Sequence, residues 1–479
     1  MRIHVISRYI GLILLFNAIF LFLSFLVSVF NSDTAAYPLL YSFLITLLFG
    51  IFPLIFVPRI DFISKEEGFF IVILAWLIIC FFGILPFILW GGEFTFTNAW
   101  FESVSGYTTT GSSILTNVEG LPKGLLFWRS ATHFIGGVGI IVFAMVVLPN
   151  LGHARFVLLR SELSPLAGSN FKFQTRKVLF ILLYIYGGLT LAETIFLKIF
   201  GMDLFDALLH SFATIATGGF STKNLSIAYY NSRAIETVII IFMILSGMHF
   251  GLLFATITGL SFNIFKSSVV RYYIFALLAG VILVTINLYL KGYYSLPDSI
   301  RYSAFQVISL GTSTGFASTD SAHWSGFARM ILIFFTLQCA CAGSTSGGIK
   351  VDRIVIFIRA IKNQVLMLRH PRGVFTLKID NNIIEDDILR NALVFIVLYI
   401  VIVFLSSLVL AGLGVENITA LSASAATMGN VGPGFGQVSS LANYSSIPNA
   451  GKWLLTANML LGRLEIYGFI SLFMLKRWR

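Results

Sequence analysis

The stretch Tyr107-Thr-Thr-Thr-Gly111-Ser-Ser separates two long apolar segments, and its Thr/Gly pattern returns three times along the chain. The later copies are Ile215-Ala-Thr-Gly218-Gly-Phe, Gly311-Thr-Ser-Thr-Gly315-Phe and Gly429-Asn-Val-Gly432-Pro-Gly-Phe. Aligned on Gly111, Gly218, Gly315 and Gly432, the turns lie 107, 97 and 117 residues apart, the period of a unit made of two helices and a re-entrant loop. Each turn follows about a dozen residues that make a half-length helix, over 97–105, 203–213, 298–309 and 417–425. These begin with Thr97, Asp203, Asp298 and Asn417, residue types that cap helix N-termini.

The surrounding chain belongs in a bilayer. Of its 479 residues 57% are hydrophobic and 11% charged, and the mean hydropathy is +0.90, outside the range of soluble globular proteins. About 20 apolar residues cross a hydrocarbon core of about 30 Å. Ten such spans are expected, at 9–30, 37–57, 68–90, 126–149, 177–200, 233–260, 272–290, 327–349, 389–413 and 451–475. The first is too long for a signal-peptide core and lacks a small-residue cleavage site, which makes it a retained helix. Cys80, Cys339 and Cys341 all lie in apolar segments, which argues against a disulfide framework or a metal site.

The net charge of +11 is gathered in alternate connections, an orientation signal and not a nucleic-acid surface. Segment 153–177 carries Arg155, Arg160, Lys172, Arg176 and Lys177 against Glu162 alone. Segment 350–378 adds Arg353, Arg359, Lys362, Arg369 and Arg372, and the sequence closes with Lys476, Arg477 and Arg479. Both segments and both termini are expected on the cytoplasmic side.

Non-helical backbone at membrane depth is tolerated only where protein buries it or where it lines a water-filled path, so the four turns should converge on one axis. The expected fold is an all-α polytopic membrane protein: four helix, pore-loop, helix units around a central pore, after two additional N-terminal helices. The boundaries are 1–60 for the extra helices and 61–155, 156–266, 267–375 and 376–479 for the units. An ion leaving water needs oxygen ligands, which rings of backbone carbonyls from glycine-containing loops can supply. The half-helices end at the turns, and their negative dipole ends favour a cation. His-Glu-x-x-His, paired aspartates in facing helices and Gly-x-Ser-x-Gly are all missing from the spans, so an enzyme lacks its usual parts.

Four pieces, Ser105-Gly-Tyr-Thr-Thr-Thr-Gly111, Ala216-Thr-Gly-Gly-Phe220, Asn430-Val-Gly-Pro-Gly-Phe435 and Leu461-Gly-Arg-Leu-Glu-Ile466, occur in order. With them the chain resembles, over nearly its whole length, the Trk/Ktr/HKT superfamily of potassium-transport subunits, and its two extra helices resemble the bacterial TrkH-type branch. The resemblance implies a cation filter built from Thr109, Thr110, Gly111 and Ser112; Ala216, Thr217, Gly218 and Gly219; Ser313, Thr314, Gly315 and Phe316; and Asn430, Val431, Gly432 and Pro433. In that family a glycine at the position of Gly111 goes with potassium preference, and serine in some plant members with sodium. The implied substrate is potassium, held at the filter residues, with no cofactor in this chain. The implied setting is the bacterial inner (plasma) membrane, with a homodimer joined through the third and fourth units. A cytosolic ring of nucleotide-binding (TrkA-like) regulatory subunits would dock near 350–380.

The run Ala340-Cys-Ala-Gly343-Ser-Thr-Ser-Gly347-Gly348-Ile-Lys350 interrupts a span with small, flexible residues. It resembles the family's intramembrane gate loop, formed here by Gly343, Ser344, Thr345, Ser346, Gly347, Gly348 and Lys350; the alternative is a kink packed against a neighbour. It is a near miss for a phosphate-binding loop, with Ile349 where that motif needs lysine. Lys350 either places its charge under the gate or snorkels to the surface. Arg463 inside the last span needs a partner or water, and is expected to face the pore with Glu102 as a possible partner. In related proteins this arginine lies below the filter; the alternative is an ion pair locking two repeats. His133, His210 and His249 read as hydrogen-bonded packing residues. Beyond Glu102, Glu193 and Glu465 the spans offer few carboxylates for coupling, so channel-like uptake is the simpler reading and a proton- or sodium-coupled symporter the alternative.

Overall fold

A computed structural model describes residues 2–58, 65–147, 175–257, 259, 264–370, 373, 375–380, 382–464 and 466. Arg155, Arg160, Glu162, Lys172, Arg372, Glu465 and the terminal Lys476, Arg477 and Arg479 lie outside the described residues, as does the last span beyond 466.

Two N-terminal helices, Ile3–Phe30 and Ala36–Phe56, pack along each other. Small residues allow their backbones to approach: a Cβ on Gly11 would lie 2.7 Å from the Gly50 carbonyl oxygen. The pair is tied to the rest of the molecule by Asn17, whose Oδ1 accepts from the Tyr107 hydroxyl at 2.7 Å.

The order that follows occurs four times. An apolar helix leads into a helix of 12 to 16 residues, then a turn, then a second apolar helix. In the first unit these are Lys65–Gly83 with Leu85–Trp90, then Phe96–Tyr107, then Lys123–Val147. The second has Thr175–Ile199, Leu204–Ile215, and Arg233–Ser246 with Phe250–Ile257. The third has Ser268–Leu290, Leu296–Gly311, and Gly326–Leu337 with Val351–Arg369. The fourth has Asp386–Gly412, Asn417–Met428 and Asn449–Arg463. At about 1.5 Å per residue the four short pore helices cannot cross a bilayer.

Among the described residues six helices are long and apolar enough to span a membrane, or seven if one bent pair counts as a span. Their outward faces carry apolar side chains, such as Leu48, Ile55, Val397 and Phe404, each more than half exposed. Such faces suit lipid, not water.

Three expectations need correction. The span expected at 233–260 is not straight: Arg233–Ser246 and Phe250–Ile257 meet at 104°. The basic segment 350–378 is mostly the helix Val351–Arg369, not a loop. Of the four expected caps only Asp203 caps its helix, accepting from the Phe205 N–H. Thr95 and Ser295 cap the first and third pore helices, and Glu416 precedes the fourth without a side-chain cap. Thr97 and Asn417 are already inside their helices, and Pro297 in the first turn lets the third begin before Asp298.

Candidate functional site: four turns closed into a ring

Every pore helix ends in the same way. Backbone N–H groups of Thr109, Thr217, Ser313 and Asn430 donate to carbonyls three residues back. Those of Thr110, Gly218, Thr314 and Val431 donate five residues back. Thr109, Thr217, Ser313 and Asn430 sit at φ 52°, 53°, 58° and 52°, the left-handed position of a Schellman cap, here filled without glycine. Two residues later Gly111, Gly219, Gly315 and Gly432 take φ of 79°, 79°, 82° and 96°. The structural equivalents are therefore 108, 96 and 117 residues apart. Alignment on Gly218 is one residue early, and Ala216 matches the helix-capping Thr108, Thr312 and Gly429.

The four turns meet each other in a closed cycle. A Cβ on Gly111 would lie 2.1 Å from the Gly218 carbonyl oxygen, and one on Gly219 2.1 Å from that of Thr314. One on Gly315 would lie 1.9 Å from the Val431 oxygen, and one on Gly432 2.6 Å from that of Thr110. Each glycine faces the carbonyl preceding the glycine of the next unit, and the fourth returns to the first. Only a residue without a Cβ permits both the positive φ and this approach. The ring brings together Thr110, Gly111, Gly218, Gly219, Thr314, Gly315, Val431 and Gly432, with Pro433 against Gly315. Ser112 donates its hydroxyl to the Gly432 carbonyl, whereas Phe316 gives its carbonyl to the Ser309 hydroxyl at 2.6 Å. Among the described residues no group of three or more His, Cys, Asp or Glu converges, and the oxygens that close the ring are the backbone carbonyls of Thr110, Gly218, Thr314 and Val431.

Buried polar side chains brace the ring from behind. His133 accepts the Phe220 N–H at Nε2 (3.1 Å), which fixes Nδ1 as the donor to the Gly106 carbonyl (2.7 Å), and so joins the first and second turns. Glu102 does not meet Arg463; it pairs with Arg129 at 2.6 Å and also accepts from Ser113 and the Ile114 N–H. Arg129 donates onward to the Ser221 carbonyl and lies 3.6 Å from the Phe220 ring centroid. Both members are almost fully buried. Sequence reasoning passed over Arg129, although a lone arginine in the apolar run 126–149 is a signal that a partner exists. His210 bonds the Asp206 carbonyl and the Ser221 hydroxyl, a packing role like that of His133.

The third unit's second helix stops at Leu337 and resumes at Val351. Between them, the Cys341 N–H donates to the Gly247 carbonyl and the Phe250 N–H to the Gly343 carbonyl, so the segment docks in the bend of the second unit. Thr345 donates to the Ile215 carbonyl at the end of the second pore helix and accepts from Thr217 at 3.3 Å. Gly347 packs so near Asn430 that a Cβ would lie 2.4 Å from its Oδ1. Arg463 is buried and bridges two units, donating to the Thr345 carbonyl at 2.5 Å and the Gly136 carbonyl at 2.8 Å. Lys350 precedes the resumed helix and is buried, not turned out to the surface.

Fold and site together define an all-α polytopic membrane protein whose four short helices present their C-terminal turns to a common axis. Residues 41–477 match the TrkH family, described as a cation transport protein. Across 100% of both chains the protein is 35% identical to the Trk system potassium uptake protein TrkH of Escherichia coli K12 and 34% identical to that of Halomonas elongata. It is similar, with a TM-score of 0.90 and 32% identity over all of both chains, to the crystal structure of the potassium transporter TrkH from Vibrio parahaemolyticus. The chain belongs to the TrkH family of cation transport proteins.

Proposed function

We propose that the chain takes up potassium through the four-turn ring, which acts as its selectivity filter. The observation that carries this reading is the closed cycle of glycine-to-carbonyl approaches, which supports one axis lined by backbone oxygens from all four units. The names of its relatives, Trk system potassium uptake proteins, support potassium as the cation. The membrane potential would drive entry, at about 2.3 kcal/mol per charge per 100 mV. Expressed in cells stripped of their own potassium uptake, the wild type is expected to restore growth at low potassium. Gly111→Ser, which adds a side chain where only 2.1 Å is open, is expected to lower potassium uptake and relax its preference over sodium several-fold. Equal uptake of both ions by wild type would end the filter assignment.

The segment from Gly343 to Gly348 is proposed as the gate, supported by its position between the second pore helix, Asn430 and Arg463. Arg463 holds it shut through Thr345 and places a positive charge near the path. Arg463→Gln is expected to raise potassium flux severalfold; an unchanged or lower flux in a chain of normal thermal stability would reduce Arg463 to a structural tie. The remaining proposals follow the family resemblance: a homodimer in the bacterial inner membrane, both termini cytoplasmic, regulated by a TrkA-like nucleotide-binding ring near Val351–Arg369. The chain then divides at 1–60, 61–155, 156–266, 267–375 and 376–479. One observation favours the coupled alternative: Glu193 is fully buried in a span, and among the described residues no cation pairs with its carboxylate and only the Thr214 hydroxyl approaches it.

A further inference from the structure

The four ring glycines have unequal surroundings. The Gly432 carbonyl accepts two hydrogen bonds, from the Tyr444 hydroxyl at 2.7 Å and from the Ser112 hydroxyl at 3.2 Å. Among the described residues, no protein donor reaches the equivalent carbonyls of Gly111, Gly219 and Gly315. A carbonyl oxygen has two lone pairs, so the acceptor capacity of Gly432 is filled by the chain itself.

Tyr444 is built to hold this position. It is 2% exposed, its N–H donates to the Ser113 carbonyl at 2.8 Å, and its ring packs on Phe101 with centroids 5.4 Å apart. Ser113 in turn donates to Glu102, the partner of Arg129. The hydroxyl that grips the fourth turn is thereby anchored to the flank of the first turn and to the buried ion pair behind it. A cavity of about 120 Å³ opens onto Gly111, Gly219, Gly315, Gly432 and Tyr444, and shares no lining residue with the 340–350 segment. These glycines thus stand where an ion exchanges water for protein oxygens.

We propose that Tyr444 is a specificity-determining positioning residue: by occupying the Gly432 carbonyl it leaves three of the four ring-glycine carbonyls for the cation at that level of the ring, with water completing the shell. The inference deepens the potassium-filter reading and rests on it. Selectivity between alkali cations depends on the number and field strength of the coordinating oxygens and on how far the ring can close. Three held oxygens make a weak, open ring that suits the larger and more weakly hydrated potassium. Releasing the fourth carbonyl adds field strength and lets the ring close on sodium.

Purified chain in liposomes, under the same imposed voltage, is assayed for potassium and sodium influx in wild type, Tyr444→Phe and Ser112→Ala. Phenylalanine keeps the ring on Phe101 and removes only the hydroxyl, and Ser112→Ala removes the second donor to the same oxygen. The expected result is a potassium-to-sodium ratio about threefold or more lower in Tyr444→Phe, at an unchanged thermal midpoint, and lower also in Ser112→Ala. If Tyr444→Phe does not fold, Ser112→Ala alone decides by the same ratio. Potassium and sodium influx falling together, or an unchanged ratio, overturns the proposal and leaves Tyr444 a packing residue. A wild type that admits sodium as readily as potassium overturns the filter reading itself.

Discussion

Gly315→Ala is expected to abolish potassium uptake, at least a hundredfold, while the chain still reaches the membrane. Gly315 has φ 82°, where an L side chain costs roughly 1–2 kcal/mol. Its new methyl would also sit 1.9 Å from the Val431 carbonyl oxygen and 2.9 Å from Pro433 Cδ. Neither neighbour is the far end of a flexible side chain, so the turns must separate, and overpacking of this kind costs about 1–3 kcal/mol. The damage falls on the filter oxygens while the membrane helices that direct insertion are untouched. Gly326→Ala, where nothing lies within 4 Å, is the matched control and should transport normally. Uptake by both variants, normalised to the amount in the membrane, makes the comparison; equal rates would mean that this glycine does not line the path.

Removing one member of the Glu102–Arg129 pair is expected to cost about 3–5 kcal/mol, because the other is left buried and charged without its counter-charge. Glu102→Gln and Arg129→Met should each lower the midpoint of denaturant unfolding in detergent by a large margin. The double variant should recover most of that loss, since it strands no charge, yet it should remain impaired in uptake. Glu102 also accepts from Ser113 and the Ile114 N–H, and Arg129 donates to the Ser221 carbonyl, so the pair fixes the segments that leave the first and second turns. Additive losses in the double-mutant cycle would show that the two groups are not coupled.

The repeat and the ring glycines were legible in the sequence because a Schellman cap followed two residues later by a positive-φ glycine leaves a compositional mark. The register of the second turn was not, since Ala216-Thr-Gly-Gly-Phe220 has two adjacent glycines and only the left-handed φ of Thr217 selects Gly219 as the ring member. Interruption of the third unit at 338–350 could be read from small residues in mid-span. The 104° bend after Ser246 could not, because Phe250–Ile257 continues the apolar run, and what stabilises the break is hydrogen bonding to Cys341 and Gly343 from another unit. Partner choice was the least accessible. Charge alone offers Glu102 as a possible partner of Arg463, whereas Arg129, 27 residues from Glu102 on the adjoining helix, satisfies it, and Arg463 donates to the Thr345 and Gly136 carbonyls. Tyr444 carried no sequence signal, because its role depends on a carbonyl that only the closed ring places beside it.

The central claim, passive potassium passage through one four-turn filter, is tested most directly by flux in liposomes containing only the purified chain. Potassium influx would be driven by voltage alone, with no pH or sodium gradient, in wild type and in Arg463→Gln. The expected result is voltage-driven potassium and rubidium influx that exceeds sodium influx, larger in Arg463→Gln. Potassium movement that occurs only when protons or sodium move with it would contradict this, and would make the chain a coupled symporter.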